Sequence, residues 1–277
     1  MGSGEDASPT MQGNRSAMDR VLYTNRKEFS HDHIVSVAKK DRFAVVVKGF
    51  CDPEVLRIAQ EKLSSYRSRE QSTTDGQFWR MGFPYSEIED ETTRRRYHDE
   101  ALSSIERLRS MFAPYASPED DLRLLLDERW RAGAELMRVQ GEKCFVGVCR
   151  FQGNNVDLVP HTDKVERFLP SGYQSRLQAQ LSTNIYVSIP AVGGELEMWD
   201  MEPAEDEYQR MVAGRSYGID RDRLPEPVAV VKPEPGDLAL LNPRLIHAVR
   251  PSGDTTRITI GTFIGYLGED EPLVYWS

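Results

Sequence analysis

Two histidines and one aspartate in the second half of the chain have the types and spacing that metal chemistry needs. His161 and Asp163 stand two positions apart in LVPHTDKVE, directly after an apolar run. Because alternate residues of an extended strand share a face, the imidazole and the carboxylate can point to one place. His247 closes another apolar stretch, LLNPRLIHAV, and supplies a third ligand if the two stretches meet in the fold.

Two imidazoles and one carboxylate cover one face of a metal ion and leave the opposite face open. This arrangement is typical of non-haem Fe(II) oxygenases, which bind a co-substrate and O₂ on the open side. Taken alone, a His-x-Asp pair is more often a surface turn or a capped histidine. The order of His161, Asp163 and His247 within strand-forming sequence favours the metal site.

Arg257 follows His247 by ten residues, in the alternating stretch RITIGTFIGYL. Arg257, Thr259 and Gly261 share one face there. A guanidinium and a hydroxyl can hold a carboxylate by charge-assisted hydrogen bonds, such as the far carboxylate of 2-oxoglutarate. The alternative is a solvated or salt-bridged strand face. A zinc hydrolase can also use two histidines and an aspartate, but it does not need Arg257 at this spacing.

The other three of the five histidines favour no site. His31, His33 and His98 lie near the N-terminus and in helical sequence, and we expect them to be solvated. The pair His31 and His33 could bind a metal, but no strand framework surrounds it.

Composition restricts the function classes. The chain has 277 residues and a net charge of -9, which disfavours nucleic acid and anionic membranes as partners. No apolar run has the length of a membrane span, and the first residues lack an apolar signal core. We therefore expect a cytoplasmic protein. The three cysteines, Cys51, Cys144 and Cys149, show no metal-binding spacing and predict reduced thiols.

The elements that must position these residues fall into two halves. Residues 31–140 are helix-rich, with Asp52 as a predicted N-cap before Pro53. Residues 141–277 are strand-rich, which predicts an α+β fold with a closed or sandwiched antiparallel sheet. We predict a disordered tail at 1–30 and one domain at 31–277. Residues 201–227 interrupt the strands as a predicted lid.

The chain resembles the Fe(II)/2-oxoglutarate-dependent dioxygenases over about Cys144 to Ser277. Within that class, SYGID, PGDLALLNPRLIHAV, RITIGTFIGYL and LVYWS are similar to the carrier-independent halogenases of hapalindole-type pathways and to their hydroxylase relatives. The resemblance implies a double-stranded β-helix, or jelly-roll, core. The halogenases have glycine where this chain has Asp163. That difference favours hydroxylation of an unactivated C–H bond over halogenation, with desaturation and cyclisation as alternatives.

The resemblance also implies a set of ligands. His161, Asp163 and His247 would hold Fe(II), and 2-oxoglutarate and O₂ would bind beside them. Arg257 and Thr259 would hold the far carboxylate of 2-oxoglutarate. Asn184, in STNIYVSIP, is placed like family residues that contact the co-substrate.

The substrate residues are less specific. The candidate pocket residues are Phe78, Trp79, Met81, Phe83, Arg150, Phe151, Tyr208, Arg210 and Tyr217. The aromatic residues could equally pack the helices on the sheet, Arg150 could pair with an acidic neighbour, and the insertion could be a solvated acidic segment. We expect a free small molecule, such as an amino acid derivative or a specialised metabolite, because a peptide or protein hydroxylase would need an open groove. A jelly-roll binding module with a degenerate site is a further alternative, and the sequence does not specify the oligomeric state.

Overall fold

A computed structural model describes residues 20–66, 78–215, 217–253 and 255–277 of the protein. The helices are α1 (His31–Ala38), α2 (Pro53–Ser64), α3 (Glu91–Phe112), α4 (Pro118–Arg129) and α5 (Glu205–Val212). The strands are β1 (Val21–Asn25), β2 (Ala44–Lys48), β3 (Phe78–Met81), β4 (Ala134–Leu136), β5 (Arg138–Val139), β6 (Glu142–Lys143), β7 (Val148–Gln152), β8 (Leu158–His161), β9 (Ala179–Ser188), β10 (Leu196–Met198), β11 (Ala229–Val231), β12 (Leu238–Leu241), β13 (His247–Val249), β14 (Arg257–Tyr266) and β15 (Leu273–Trp276).

A nine-stranded sheet, the major sheet, forms the centre of the fold. Its strands run in the order β1-β2-β12-β9-β14, and β14 then pairs with β15 along one part and with β7 along another. β3 extends the sheet beyond β7, and β4 extends it beyond β15. The ten-residue strands β9 and β14 pair antiparallel along almost their whole length, so β14 is held on both sides.

A four-stranded antiparallel sheet, the minor sheet, has the order β11-β10-β13-β8. Its inward-facing residues Leu196, Met198 and Val249 pack in one cluster with Val46 and Leu241 of the major sheet. Two sheets that bury alternate residues against each other form a sandwich, and the major sheet is antiparallel except for its outer pairs β1–β2 and β15–β4. This is the α+β double-sheet architecture predicted from the strand-rich half.

The helices cover the other face of the major sheet. Alternation along β14 directs Ile258 and Ile260 into a second apolar cluster, which also contains Leu63 of α2 and Leu108 of α3. Helix α2 begins as predicted, because the Asp52 side chain accepts a hydrogen bond from Glu54 N at 2.9 Å and Pro53 is the first helical residue. None of the helices in the described residues is both long and apolar enough to cross a bilayer.

The structure differs from the predicted division of the chain in two ways. Residues 20–30, assigned to a disordered tail, include β1, which pairs in parallel with β2 through its backbone; residues 1–19 lie outside the described part. β2, β3 and β4 belong to the major sheet although they fall in the helix-rich half. The β-branched sequence FAVVVKGF predicts β2, whereas the short strands β3 and β4 are specified by backbone pairing with distant partners, which local sequence patterns do not report.

The insertion at 201–227 packs mainly on the outer face of the minor sheet. Tyr208 and Ile219 form a buried cluster there with Trp199, Ile246 and Ala248. The Trp199 indole N–H donates to Pro225 O at 2.7 Å and fixes the end of the insertion. The protein therefore has four layers, namely helices, major sheet, minor sheet and insertion.

Candidate metal and co-substrate site

Strand pairing brings the two distant histidines together. His161 at the end of β8 and His247 at the start of β13 are direct partners in the minor sheet, with ring centroids 4.3 Å apart. Beyond β8, the chain turns so that Asp163 N donates to Pro243 O at 2.8 Å. Asp163 Oδ1 then lies 3.8 Å from His161 Nε2, and its Oδ2 lies 3.6 Å from His247 Nε2. One ligand atom from each residue falls within 4.8 Å of the others, which suits a single metal ion.

Hydrogen bonds orient both imidazoles towards this point. His161 Nδ1 lies 2.7 Å from Val159 O and His247 Nδ1 lies 3.0 Å from Leu245 O. A carbonyl accepts only from a protonated nitrogen, so both rings carry the proton on Nδ1 and direct the Nε2 lone pair at the centre. Burial lowers the pKa of His161 to about 4, and nearby His247 adds to this effect. At neutral pH His161 is therefore a neutral ligand.

The carboxylate is held in its charged form. Burial alone would raise the pKa of Asp163, but His161 and His247 outweigh burial and hold that pKa below its usual range. A charged carboxylate with a neutral imidazole is the protonation state that binds divalent metals.

Arg167 holds the turn that presents Asp163. Its guanidinium donates to both the carbonyl and the hydroxyl of Thr162, the latter at 2.8 Å. The same guanidinium lies 4.2 Å above the Tyr208 ring and pairs with Glu205 of α5 at 3.0 Å. The insertion is thus connected to the metal-ligand turn through Arg167, and Lys164 Nζ adds a contact by donating to Pro203 O at 2.9 Å. The sequence prediction missed Arg167, whose only local signal is its position four residues after Asp163.

The facing surface of the major sheet carries the second group of predicted residues. Arg257 and Thr259 are 5% and 0% exposed at the start of β14. Within the described residues, Arg257 Nε and Thr259 Oγ1 have no hydrogen-bond partner. The guanidinium lies 5.2 Å from the centre of the Tyr186 ring. A buried cation and a hydroxyl that are both short of an acceptor fit a carboxylate ligand.

Asn184 and Arg150 lie on that same face. In the register of the major sheet, Asn184 on β9 is opposite Gly261, and Arg150 on β7 is opposite Thr259. A Cβ at position 261 would clash with Arg150 Nη1 and would lie 3.4 Å from Asn184 Oδ1. The glycine therefore makes room for the guanidinium of Arg150. Alternation along β14 is the signal that could have identified the function of Gly261 from the sequence.

Trp79 and Phe151, both predicted pocket residues, face the helices and not the triad. The register places Trp79 opposite Phe151 on the face that packs against the helices, whereas Phe78 and Arg150 are on the face towards the minor sheet. The Trp79 and Phe151 rings stack at 5.4 Å and line a separate cleft with Ser64 and Ile258. The structure does not bring these two aromatic residues to the triad, because residues one position apart on a strand point to opposite faces.

The remaining pocket candidates are dispersed. Met81 shares the helix-side cluster, and Phe83 packs against Tyr97 of α3 with ring centroids 6.3 Å apart. Tyr217 is 50% exposed, and its ring centre lies 5.2 Å from that of His161, so it is the insertion residue beside the triad. Tyr208 is buried in the outer cluster, and exposed Arg210 pairs with Asp206 at 3.0 Å.

The histidines and cysteines that the sequence assigned to no site make local contacts or are buried. His33 Nδ1 accepts from Ser30 N at 3.0 Å, His31 stacks on Trp130 at 4.3 Å, and His98 Nδ1 lies 2.9 Å from Lys143 O. The three cysteines are buried free thiols. Among the described residues, the triad is the single group of histidine, cysteine, aspartate and glutamate side chains arranged for a metal ion. A larger cleft lined by Glu197, Trp199 and Arg221 lies on the outer face of the minor sheet and does not include the triad.

Comparison with known proteins gives a consistent result. A family model described as the carrier-protein-independent halogenase WelO5 matches residues 23–277. The chain is 28% identical over 149 residues to an L-isoleucine 3(1)-dioxygenase of Pantoea ananatis, a match over 50% of the chain and 48% of that protein. It is 29% identical over 154 residues to the leucinostatins biosynthesis cluster protein S of Purpureocillium lilacinum, over 51% of the chain and 61% of that protein. The chain thus spans between 48% and 61% of the length of these curated relatives.

A solved structure shares the fold. An N-substituted L-amino acid dioxygenase from Burkholderia ambifaria superposes with a TM-score of 0.59 at 17% identity, over 89% of this chain and 90% of the other. The same enzyme in complex with alpha-KG gives a TM-score of 0.58. The predicted jelly-roll class of the fold is confirmed.

Proposed function

The chain belongs to the carrier-protein-independent halogenase family, within the Fe(II)/2-oxoglutarate-dependent oxygenases, and from this premise we propose that it oxidises an unactivated C–H bond of a free small molecule. Fe(II) and 2-oxoglutarate are the proposed cofactor and co-substrate. When bound, they supply an oxidant through decarboxylation of 2-oxoglutarate with O₂, which yields succinate and CO₂.

One observation supports this proposal above the others. Two incomplete binding sites lie on the facing inner surfaces of the two sheets. On the minor sheet, His161, Asp163 and His247 direct three ligand atoms at one point. On the major sheet, Arg257 and Thr259 present a buried cation and a hydroxyl, and neither Arg257 Nε nor Thr259 Oγ1 has a hydrogen-bond partner among the described residues. A molecule with a chelating keto-acid end and a distant carboxylate suits both sites at once.

In this proposal, three groups of residues have separate roles. His161, Asp163 and His247 hold the metal from one side and leave the other side free for ligands. Arg257 and Thr259 fix the far end of the co-substrate, with Asn184 beside them on the sheet. The apolar cluster of Tyr186, Met198 and Val249 closes the gap between the sheets and excludes water.

Asp163 favours hydroxylation over halogenation. The resemblance identified from the sequence implies that halogenases carry glycine at this position and thereby leave a metal site for chloride. Here the carboxylate is present and turned towards both histidines. Desaturation, cyclisation and the hydroxylation of a peptide remain the alternatives. The names of the relatives refer to amino acids and to a biosynthesis cluster, which supports an amino acid derivative or specialised metabolite as substrate. The cytoplasmic location and the lid function of residues 201–227 stay predictions.

Anaerobic titration of the apoprotein with Fe(II) and then 2-oxoglutarate tests the proposal. We expect a weak visible metal-to-ligand band in the wild type. The band should be lost in His247→Ala, because one of the three ligands is gone. His98→Ala is the matched control, since His98 lies outside the triad and contacts Lys143 O. A wild-type protein that binds no iron and gives no band would contradict the proposal and favour a binding module.

A further inference from the structure

Arg150 is a charged side chain whose position the proposed chemistry leaves unexplained. It projects from β7 towards the minor sheet, opposite Thr259, and Gly261 leaves room for its guanidinium. Its guanidinium interacts electrostatically with Asp163, His161 and Arg257. Arg150 therefore faces the same space as the triad and the Arg257 site.

The neighbouring strand offers a comparison. Arg80 on β3 is the direct register partner of Arg150 on β7, so the two side chains lie on the same face. Arg80 is neutralised by a two-pronged pair with Glu87, in which Arg80 Nε donates to Glu87 Oε1 at 2.7 Å. Arg150 forms no hydrogen bond and no ion pair with any described residue. Burial lowers the pKa of Arg150, and the more distant charges of Asp163 and Glu87 act in the opposite direction without outweighing burial.

The sum of the charges around the site indicates that one negative charge is missing. Fe(II) with Arg150 and Arg257 brings four positive charges, whereas Asp163 and the 2-oxoglutarate dianion bring three negative charges. A site between two packed sheets favours neutrality, because a charge that is removed from water without a counter-charge is destabilising. One further monoanion completes the balance.

We propose that Arg150 binds a carboxylate of the organic substrate, and hence that this enzyme oxidises small molecules that carry a free carboxylate. This inference rests on the proposed function. A planar guanidinium binds a carboxylate through two parallel hydrogen bonds, which would fix the orientation of the substrate over the metal. The other source of the same chemical group is the metal-chelating carboxylate of 2-oxoglutarate, and the experiment separates the two.

The test uses the visible band of the anaerobic Fe(II)–2-oxoglutarate protein. N-acetyl-L-leucine, N-acetyl-L-isoleucine, L-leucine and L-isoleucine serve as acid probes, and the corresponding carboxamides serve as neutral probes. Each is titrated into the wild type, Arg150→Met, Arg150→Lys and Arg131→Met. Arg131 is an exposed arginine outside the site, so its variant controls for the loss of one positive charge. Affinity for 2-oxoglutarate and the melting temperature of the apoprotein are measured for each protein.

We expect at least one acid to perturb the wild-type band, and its amide to bind at least tenfold more weakly. Arg150→Met should weaken binding of that acid by about tenfold to a hundredfold, which is the loss of a charge-assisted hydrogen bond. Arg150→Lys should recover part of this loss. Affinity for 2-oxoglutarate and the melting temperature should match the wild type in both variants, because Arg150 has no partner to lose.

Four results would overturn the inference. These are an Arg150→Met protein that loses 2-oxoglutarate affinity, an amide that binds as tightly as its acid, an acid that binds Arg150→Met as well as the wild type, and a panel in which no acid perturbs the band. The first would assign Arg150 to the co-substrate. A wild-type protein that forms no band at all would instead count against the proposed function itself, so the two failures are distinguishable.

Discussion

The two faces of β14 show two ways of burying a charged or ionisable group. Towards the minor sheet, Arg257 and Thr259 are buried, and Arg257 Nε and Thr259 Oγ1 have no hydrogen-bond partner among the described residues. Towards the helices, Thr262 is buried as well, but its hydroxyl donates to Glu119 Oε2 at 2.8 Å. The helix-side contact is made within the folded chain, whereas the inner face retains polar atoms that no described residue satisfies.

Glu119 shows how a buried ionisable group on the helix side avoids carrying an unpaired charge. Its side chain is 2% exposed in the first turn of α4, and burial raises its pKa to about 8. The hydroxyl of Thr262 and the charge of Arg123 act in the opposite direction but do not outweigh burial. The carboxyl is thus largely protonated at neutral pH. A guanidinium has too high a pKa to lose its proton, so Arg257 stays charged and calls for an external anion.

The largest expected effect is on the metal triad, where the inner face depends most on a ligand. Asp163→Ala should lower iron affinity and abolish 2-oxoglutarate-dependent O₂ consumption, because it removes the only anionic ligand of the triad. Iron content after gel filtration and succinate formation measure the two effects. Asp99→Ala, at an exposed position of α3, is the control and should behave like the wild type. An Asp163→Ala protein with full activity would rule out the triad.

The next effect is on the anchor of the co-substrate. Arg257→Ala should raise the concentration of 2-oxoglutarate needed for the visible band by about a hundredfold, from the loss of a charge-assisted hydrogen-bonded pair. Iron binding should be unchanged, since Arg257 is not among the grouped metal ligands. Titration of the band with 2-oxoglutarate measures the shift, with Arg131→Ala as the control. An unchanged requirement would mean that another residue anchors the co-substrate.

Local patterns predicted the inner face of β14 well, whereas long-range register was beyond them. Alternation alone assigns Arg257, Thr259 and Gly261 to one face, because that property depends only on successive residues. The sequence QFWRMGFPY contains no clear alternation, so it could not show which of Phe78 and Trp79 faces the triad. That choice was made by the pairing of β3 with β7.

Local sequence patterns also could not predict contacts between segments that are distant in the chain. Arg167 acts on Thr162 and on Tyr208, which lies 41 positions further along the chain. The outer cluster of the insertion depends on Trp199, Ile246 and Ala248, which only the assembled minor sheet brings to one face. No local pattern reports such a surface.

On the helix side, the raised pKa of Glu119 predicts that the stability of the protein decreases as the pH rises. Glu119 has a pKa of about 8 in the folded protein and an ordinary value of 4.5 when exposed. Between these values the folded state keeps a proton that the unfolded state has lost, so the free energy of unfolding falls as the pH rises. The maximum slope from one such group is about 1.4 kcal/mol per pH unit.

Glu119→Gln should remove this dependence, because the amide is neutral at every pH and has a similar shape. Guanidinium chloride unfolding at several pH values between 5 and 8 measures the slope for both proteins. The variant should be relatively more stable at pH 8 than at pH 5 when each is compared with the wild type. Equal slopes in the two proteins would show that the buried carboxyl is not protonated in the folded state.

The smallest and sharpest test compares two threonines on one strand. Thr259→Val should weaken 2-oxoglutarate binding by about threefold to tenfold, the value of one neutral hydrogen-bond donor, and leave the stability of the apoprotein unchanged or higher. Thr262→Val should leave 2-oxoglutarate binding unchanged and cost about 1–3 kcal/mol of stability, since it removes the donor to buried Glu119. Each substitution removes one hydroxyl from a buried position three residues from the other, so the two are matched controls. If both variants changed binding, or both changed stability, the two faces of β14 would not divide the functions as the hydrogen bonds indicate.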